Sequence, residues 1–254
     1  NEPQGYQITD GVAVLPIDGV ISKRMNLMTR ISGGISTELF GRDLSTALAD
    51  PEVKAIILQI DSPGGAVDGV QLLAQQIFAA RGKKPIVALA DSKTASAAYW
   101  IGAAAQNVYM VDDTTMVGSI GVVMQHVDYS QAEAKAGISI SEIYAGKYKR
   151  IASEHAPLSD EGRGVLQAMV DQIYSVFVDD VAQFRGVSSD TVIKKMADGR
   201  VFLGQKAIDA GLVDGFSTLE SLIANLKAGT QPGTRARAAQ SIGTNTQPTK
   251  GNTM

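Results

Sequence analysis

The sequence predicts an α/β fold: a mostly parallel sheet, crossover helices on both of its faces and a helical C-terminal part. Three observations predict it. Short apolar runs such as Ala55–Ile60 and Pro85–Ala90 alternate with longer segments of helical period. Glycine and proline signals, among them Asp50-Pro51, Pro63-Gly64-Gly65 and Gly211, fall between those segments. A chain of 254 residues with 44% hydrophobic and 19% charged residues can bury a full core. Alternating strands and helices favour parallel pairing, because each crossover needs a helix to return the chain.

Gly11–Ile17 reads as a first strand, with Pro16 near an edge or strand end. Residues 22–36 show no period and contain Gly33-Gly34, the pattern of a mobile loop or lid. Thr37 caps a helix running to about Ala49, with Leu39, Phe40, Leu44 and Leu48 on one face. A strand at 54–60 follows, then a helix over 66–81 carrying Val70, Leu73, Ile77 and Phe78. A buried strand at 85–90 leads to a helix from Ser96 to about Ala105. Strands are expected at 107–111, 120–124 and 138–144, with a helix at 129–136 ending at Gly137. Helices are expected at 159–184, 188–197, 204–210 and 217–227. From residue 228 the composition turns to Gly, Thr, Gln, Pro and Arg. The expected organisation is therefore one domain over 1–227 and a disordered tail or linker over 228–254.

Composition removes several function classes. A net charge of −3 gives no general electrostatic reason to bind nucleic acid or an anionic membrane. No cysteine is present, which excludes disulfides and thiol nucleophiles, and two histidines make a multi-histidine metal site implausible. No apolar stretch approaches ~18 residues. The chain begins at Asn1 without a basic-then-apolar leader pattern, which leaves an upstream extension or anchor open.

Two features carry chemistry. Asp61-Ser62-Pro63-Gly64-Gly65 joins a buried strand to a helix, so its backbone N–H groups favour negative charge beyond the strand end. Ser96 stands at the next strand-to-helix change, flanked by Ala95, Ala97 and Ala98, small neighbours that leave room around a hydroxyl. Each has a plain reading, an ordinary turn and a helix N-cap. Together they describe a nucleophile facing an oxyanion hole at the carboxyl ends of the strands. The base is open on these grounds alone: His126 would complete a Ser–His–Asp set, and Ala145–Ile151 supplies lysines.

The ordered set Asp61-Ser62-Pro63-Gly64-Gly65, Ala95-Ser96, Gly118-Ser119-Ile120-Gly121-Val122, Ala145-Gly146-x-x-Lys149, Asp198-Gly199-Arg200-Val201-Phe202 and Gly204-x-x-Ala207-x-x-x-Gly211-Leu212-Val213-Asp214 resembles the signal peptide peptidase A family of serine peptidases. The resemblance spans roughly 10–226. Tyr6-Gln7-Ile8 and Val12-Ala13-Val14-Leu15-Pro16 bring it nearest to the head-maturation proteases of tailed phages.

That resemblance implies a Clp protease/crotonase-like fold and a Ser–Lys dyad without metal or organic cofactor. Ser96 matches the nucleophile and Lys149 the general base. Gly65 and Ala97 match the oxyanion-hole positions, and Ser119 the hydroxyl that orients the lysine. Ala97-Ala98 depart from the frequent glycines, which narrows the pocket but leaves an N–H. An ordinary lysine titrates near ~10.4, so a lysine base must have its pKa lowered, here by apolar burial with Lys147 as a minor cause. On that reading Lys149→Met would stabilise the fold.

The implied partners are an extended peptide with small or apolar side chains, further copies of the chain in a ring- or dome-shaped homo-oligomer, and capsid, portal or scaffold segments as substrates. Remnant signal peptides are the cellular alternative, and the implied location is cytoplasmic or virion-associated. A crotonase-like acyl-CoA enzyme would share the oxyanion hole but needs a carboxylate base in a marked position. A non-catalytic shell or scaffold-binding subunit would not need Ser96 and Lys149.

Overall fold

Apolar residues alternating between two buried faces build the central strands. β2 (Val12–Ser22), β4 (Ala55–Gly65) and β5 (Ile86–Ala95) lie side by side and parallel. β1 (Gln7–Thr9) pairs antiparallel at one edge, and β6 (Asn107–Met110) and β9 (Gly215–Phe216) continue the parallel sheet beyond β5, giving the order β1-β2-β4-β5-β6-β9. β3 (Gly34–Ser36) extends the end of β2. β7 (Met116–Gly118) pairs parallel with the end of β5, and β8 (Val201–Leu203) runs antiparallel on β7. Residues 5–24 and 33–230 are described in this computed structural model.

On one face Ile56, Leu58 and Ile60 meet α1 (Thr37–Ala49), α2 (Val70–Ala80), α3 (Ala97–Ala103) and the C-terminal half of α5 (Asp160–Arg185). On the other, Ala55, Ile57, Val87 and Leu89 form a smaller core with Leu222 and Leu226 of α8 (Leu219–Lys227). Helices cover both faces, as alternation predicts, but the second face has little more than α8. α4 (Ser130–Lys135), α6 (Ser189–Lys195) and α7 (Gly204–Ala210) complete the set. Among the described residues no helix is long and apolar enough to cross a membrane. The predicted loop at 22–36 resolves at its end into β3, its middle lies outside the described residues, and so does the tail from residue 231.

Two cation sites tie helix ends to their surroundings. The Arg81 guanidinium donates to the carbonyls of Ala103, Ala104 and Ala105 at the end of α3 and of Phe184 near the end of α5. Arg185, only 8% exposed, pairs with Asp214 at 2.8 Å and also donates to the Gly211 carbonyl. Asp214 accepts the Val108 N–H as well, at 2.8 Å. Asp214→Ala would leave a buried guanidinium without its counter-charge and a backbone N–H without its acceptor. We expect a stability loss of about 3 kcal/mol, read from the denaturation midpoint, and a smaller one for Asp214→Asn.

Between β7 and α5 the chain leaves the sheet as an arm. The strands expected at 120–124 and 138–144 are not formed: neither segment has a ladder partner among the described residues. Ile120 is still buried in the core, but beyond it most apolar side chains face outward, Val123 at 84% and Ile143 at 100% exposure, with Val127, Ile138, Ile140, Tyr144 and Tyr148 also exposed. Periodicity detects a face to be buried, and among the described residues little buries this one. Polar contacts hold the arm together. Arg150 pairs with Glu142, Ser153 Oγ donates to Glu142 at 2.6 Å, and His155 Nδ1 lies 2.7 Å from Glu133. The Ser153 hydroxyl, then Arg150, hold the Glu142 carboxyl below its ordinary range.

Candidate active site

The glycine turn is built from one buried hydroxyl. Ser62 Oγ donates to the Gly19 carbonyl at 2.6 Å and accepts the Gly64 N–H at 3.1 Å, fixing the turn to the end of β2. Gly64 then takes φ +97°, a conformation open to glycine. A Cβ there would lie 2.8 Å from the Ala95 carbonyl oxygen and 2.8 Å from Ser96 Cβ, so the turn touches the start of α3 directly. At Gly65 a Cβ would lie 2.0 Å from the Ile21 carbonyl oxygen. The Ala66 N–H donates to that carbonyl at 2.9 Å.

Ser96 sits at φ +54°, ψ −125°, where a residue with a side chain is strained. Two backbone bonds and the neighbouring strand register hold it. Its N–H donates to the Gly118 carbonyl at 2.8 Å, its carbonyl accepts the Trp100 N–H at 3.0 Å, and Ala95 pairs with Gly118. The N-cap reading fails, because the Ser96 side chain makes no capping hydrogen bond. The half-buried hydroxyl is thus free of the plain task that its position suggested.

Ser119 follows Gly118 across the ladder from Ala95, also strained, at φ +52°, and its N–H is held by the Arg200 carbonyl at 2.8 Å. A cavity of about 370 Å³ runs along Ile120–Val122, lined on its other side by Tyr174, Asp198 and Gly199. A larger cavity, about 710 Å³, lies between α1 and α2 and is lined by none of Ser96, Ala97 and Ser119.

Gly64 of the turn, Ser96, Ala97 and the Gly118–Ser119 step therefore lie together, with Gly65 next to Gly64 in the chain. Lys149 stands apart from them in its own chain. It lies on an exposed turn of the arm, its N–H bonded to the Gly146 carbonyl at 3.0 Å. The expected burial among apolar residues is not supplied by its own chain, because the arm has left the core. The stabilisation expected of Lys149→Met accordingly has no basis in the single chain. Lys147 is not a bare neighbouring charge either: it pairs with Glu161 at 2.6 Å, and that bond raises its pKa. His126 Nε2 lies 2.9 Å from the Ser153 carbonyl, a contact internal to the arm. Sequence reasoning missed the role of Ser62, although the residue stood inside the quoted motif, and it missed a buried carboxylate, Asp180, beside α3.

Comparison with known proteins bears on this geometry. The model of "Peptidase family S49" matches residues 79–231. The chain is 34% identical over 235 residues to the head-tail preconnector protein GP5 of Enterobacteria phage P21, covering 89% of this chain and 46% of that protein. It is 35% identical over 213 residues to the capsid assembly protease C of Escherichia phage lambda, covering 84% and 48%. The chain thus spans about half the length of these curated relatives. Among solved structures, a mutant of the 1510-N membrane-bound stomatin-specific protease superposes with TM-score 0.54 at 18% identity, over 83% of this chain and 82% of that one. A mutant of ClpP1 from Listeria monocytogenes superposes with TM-score 0.50 at 16% identity, over 82% and 94%. At such identities these two speak for the fold alone, a Clp protease-like one. With the motif order, the strained serine and a family match over more than half of its length, this chain belongs to peptidase family S49.

Proposed function

We propose that the protein is a serine endopeptidase that works through a Ser96–Lys149 dyad, with Lys149 delivered to Ser96 by a neighbouring copy of the chain. The observation that carries the reading is the uncapped, strained Ser96 in contact with the Gly64–Gly65 turn. Neutral Lys149 removes the Ser96 Oγ proton as the oxygen attacks the scissile carbonyl carbon. The N–H groups of Gly65 and Ala97 receive the developing oxyanion. Collapse breaks the C–N bond, the lysine ammonium protonates the leaving amine, and an acyl-Ser96 remains. Water then attacks the acyl carbon, Lys149 takes its proton, and Ser96 leaves with that proton restored. The Ser119 hydroxyl orients the lysine amine, and no metal or organic cofactor enters any step.

Delivery in trans rests on the arm. Its exposed apolar side chains form a face that a soluble monomer rarely leaves uncovered. The first half of α5 likewise buries little: of its residues only Gly162 is buried before Phe177. A homo-oligomer covers both and carries Lys149 to a partner's Ser96. The name of the lambda relative, a capsid assembly protease, favours capsid, portal or scaffold segments as substrates and a cytoplasmic or virion-associated location. An extended segment of substrate fits the cleft along Ile120–Val122 by backbone pairing.

Incubation with an unfolded polypeptide tests the activity. The native chain is expected to cut it, and Ser96→Ala to be slower on the order of 10⁴-fold. Equal cutting by the two would remove Ser96 from the chemistry. Ile143→Asp tests the assembly. We expect it to turn an oligomer into a folded monomer of 26.7 kDa in sedimentation, with cleavage reduced by at least about tenfold.

A further inference from the structure

α5 carries a buried carboxylate that the dyad does not use. Asp180 is 6% exposed and forms none of the ion pairs found among the described residues. Its two oxygens accept from two neutral donors on two different helices. Trp100 Nε1 of α3 donates to one at 2.8 Å, and Gln75 Nε2 of α2 donates to the other at 2.7 Å. The indole of Trp100 is also stacked on Phe177 of α5, with centroids 4.3 Å apart and rings 7° from parallel.

Burying a carboxylate without a cation is unfavourable, and leucine or methionine would fill such a site with a smaller penalty. What a carboxylate offers here is direction. Stacking lets Trp100 slide in the plane of its ring, whereas a hydrogen bond at the ring edge fixes it. Fixing the ring fixes the helix that bears it. Trp100 is bonded to Ser96 through its backbone N–H, one turn from the nucleophile, and α3 is short, seven residues. A small rotation of so short a helix moves both the Ser96 hydroxyl and the Ala97 N–H relative to Gly65.

We infer that Asp180 is a positioning residue: through the Trp100 indole it sets the rotation of α3 and so holds Ser96 and Ala97 in register with the glycine turn. The inference rests on the peptidase reading and deepens it. Arg81 holds the far end of α3, and Asp180 holds its first turn against α2 and α5.

The test measures how fast a fluorophosphonate probe, which phosphonylates activated serines, labels the full chain and four variants. Misplacing reacting groups by about 1 Å costs on the order of 10²-fold, so a partial misalignment in Asp180→Leu should slow labelling by at least about tenfold. Asp180→Asn keeps an acceptor for the indole, and rotation of the Gln75 amide satisfies the new NH₂, so it should label within about threefold of native. Trp100→Phe keeps the stacking and loses the bond, and it should be slowed as well. Adding Asp180→Leu to Trp100→Phe should then cost little more, because the bond that both remove is the same.

Trp100 is the only tryptophan, so its emission reports the bond directly and independently of activity. Asp180→Leu should shift the emission and Asp180→Asn should largely restore it. An Asp180→Leu chain with shifted emission that labels at the native rate overturns the positioning role alone. So does an Asp180→Asn chain as slow as Asp180→Leu, which marks a loss of packing. Should Asp180→Leu fail to fold, Trp100→Phe at the native rate overturns it in the same way. A native chain that takes no label at Ser96 overturns the peptidase reading and, with it, this role.

Discussion

Mixing Ser96→Ala and Lys149→Ala chains is expected to restore cleavage that neither variant supports alone. Lys149→Ala removes the general base, and its own cleavage should fall on the order of 10³-fold or more. In a mixed oligomer one chain still has Ser96 and its neighbour still has Lys149. If the dyad is completed between chains, about one site in four in a random mixture is intact, since each site draws one residue from each of two chains. The physical ground is the position of Lys149 on an exposed turn of an arm whose apolar side chains point away from the core. Cleavage by the mixture that stays at the level of the separate variants would place the dyad within one chain or remove Lys149 from it. His126→Ala is the control, expected to cost far less, because His126 is engaged with the Ser153 carbonyl inside the arm.

Gly65→Ala should have the largest effect on the fold itself. The added Cβ would meet backbone atoms of Ile21 at 2.0, 2.6 and 2.8 Å, none of which can swing aside as a side chain could. Accommodating it means parting β2 from β4 at the turn, where Ile21 pairs with Gly65. We expect a loss of about 4 kcal/mol or more in denaturant unfolding, together with loss of cleavage, since the same displacement would shift the turn that touches Ser96. A chain of native stability that cleaves normally would show that the turn yields without cost and that its position does not matter.

The sheet was legible where strand pattern and burial coincide. Ile56, Leu58 and Ile60 alternate with Ala55 and Ile57, and the two sets fill two cores. β5 runs five residues past its expected end at Ala90, because Lys93, Thr94 and Ala95 are held by β7 rather than by their own apolar character. The arm misled for the opposite reason. Its strand-like residues at 120–124 and 138–144 carry the alternation of a buried surface, yet beyond Ile120 most of their apolar side chains stay exposed among the described residues. Sequence alone cannot tell an interior from an interface, since both ask for the same side chains.

At the site, Gly65 and Ser96 could be placed from their positions at strand ends, whereas Ala97 and Ser119 came from the family resemblance; the structure sets Gly64 against Ser96 and Ala97, and Ser119 one residue past the Ala95–Gly118 pair. Asp180 could not. It lies 80 residues from Trp100 in sequence and reads, within Val178-Asp179-Asp180-Val181, as one of two surface charges. Only the packing of α5 against α3 decides which of the two aspartates is turned inward.

The central claim is that Ser96 is the activated nucleophile, and the site of covalent phosphonylation tests it most directly. Reacting the native chain with a fluorophosphonate and mapping the modified residue by mass spectrometry should place a single adduct on Ser96, absent from Ser96→Ala. An adduct on another serine, or none under conditions where the chain is folded and assembled, would contradict the account.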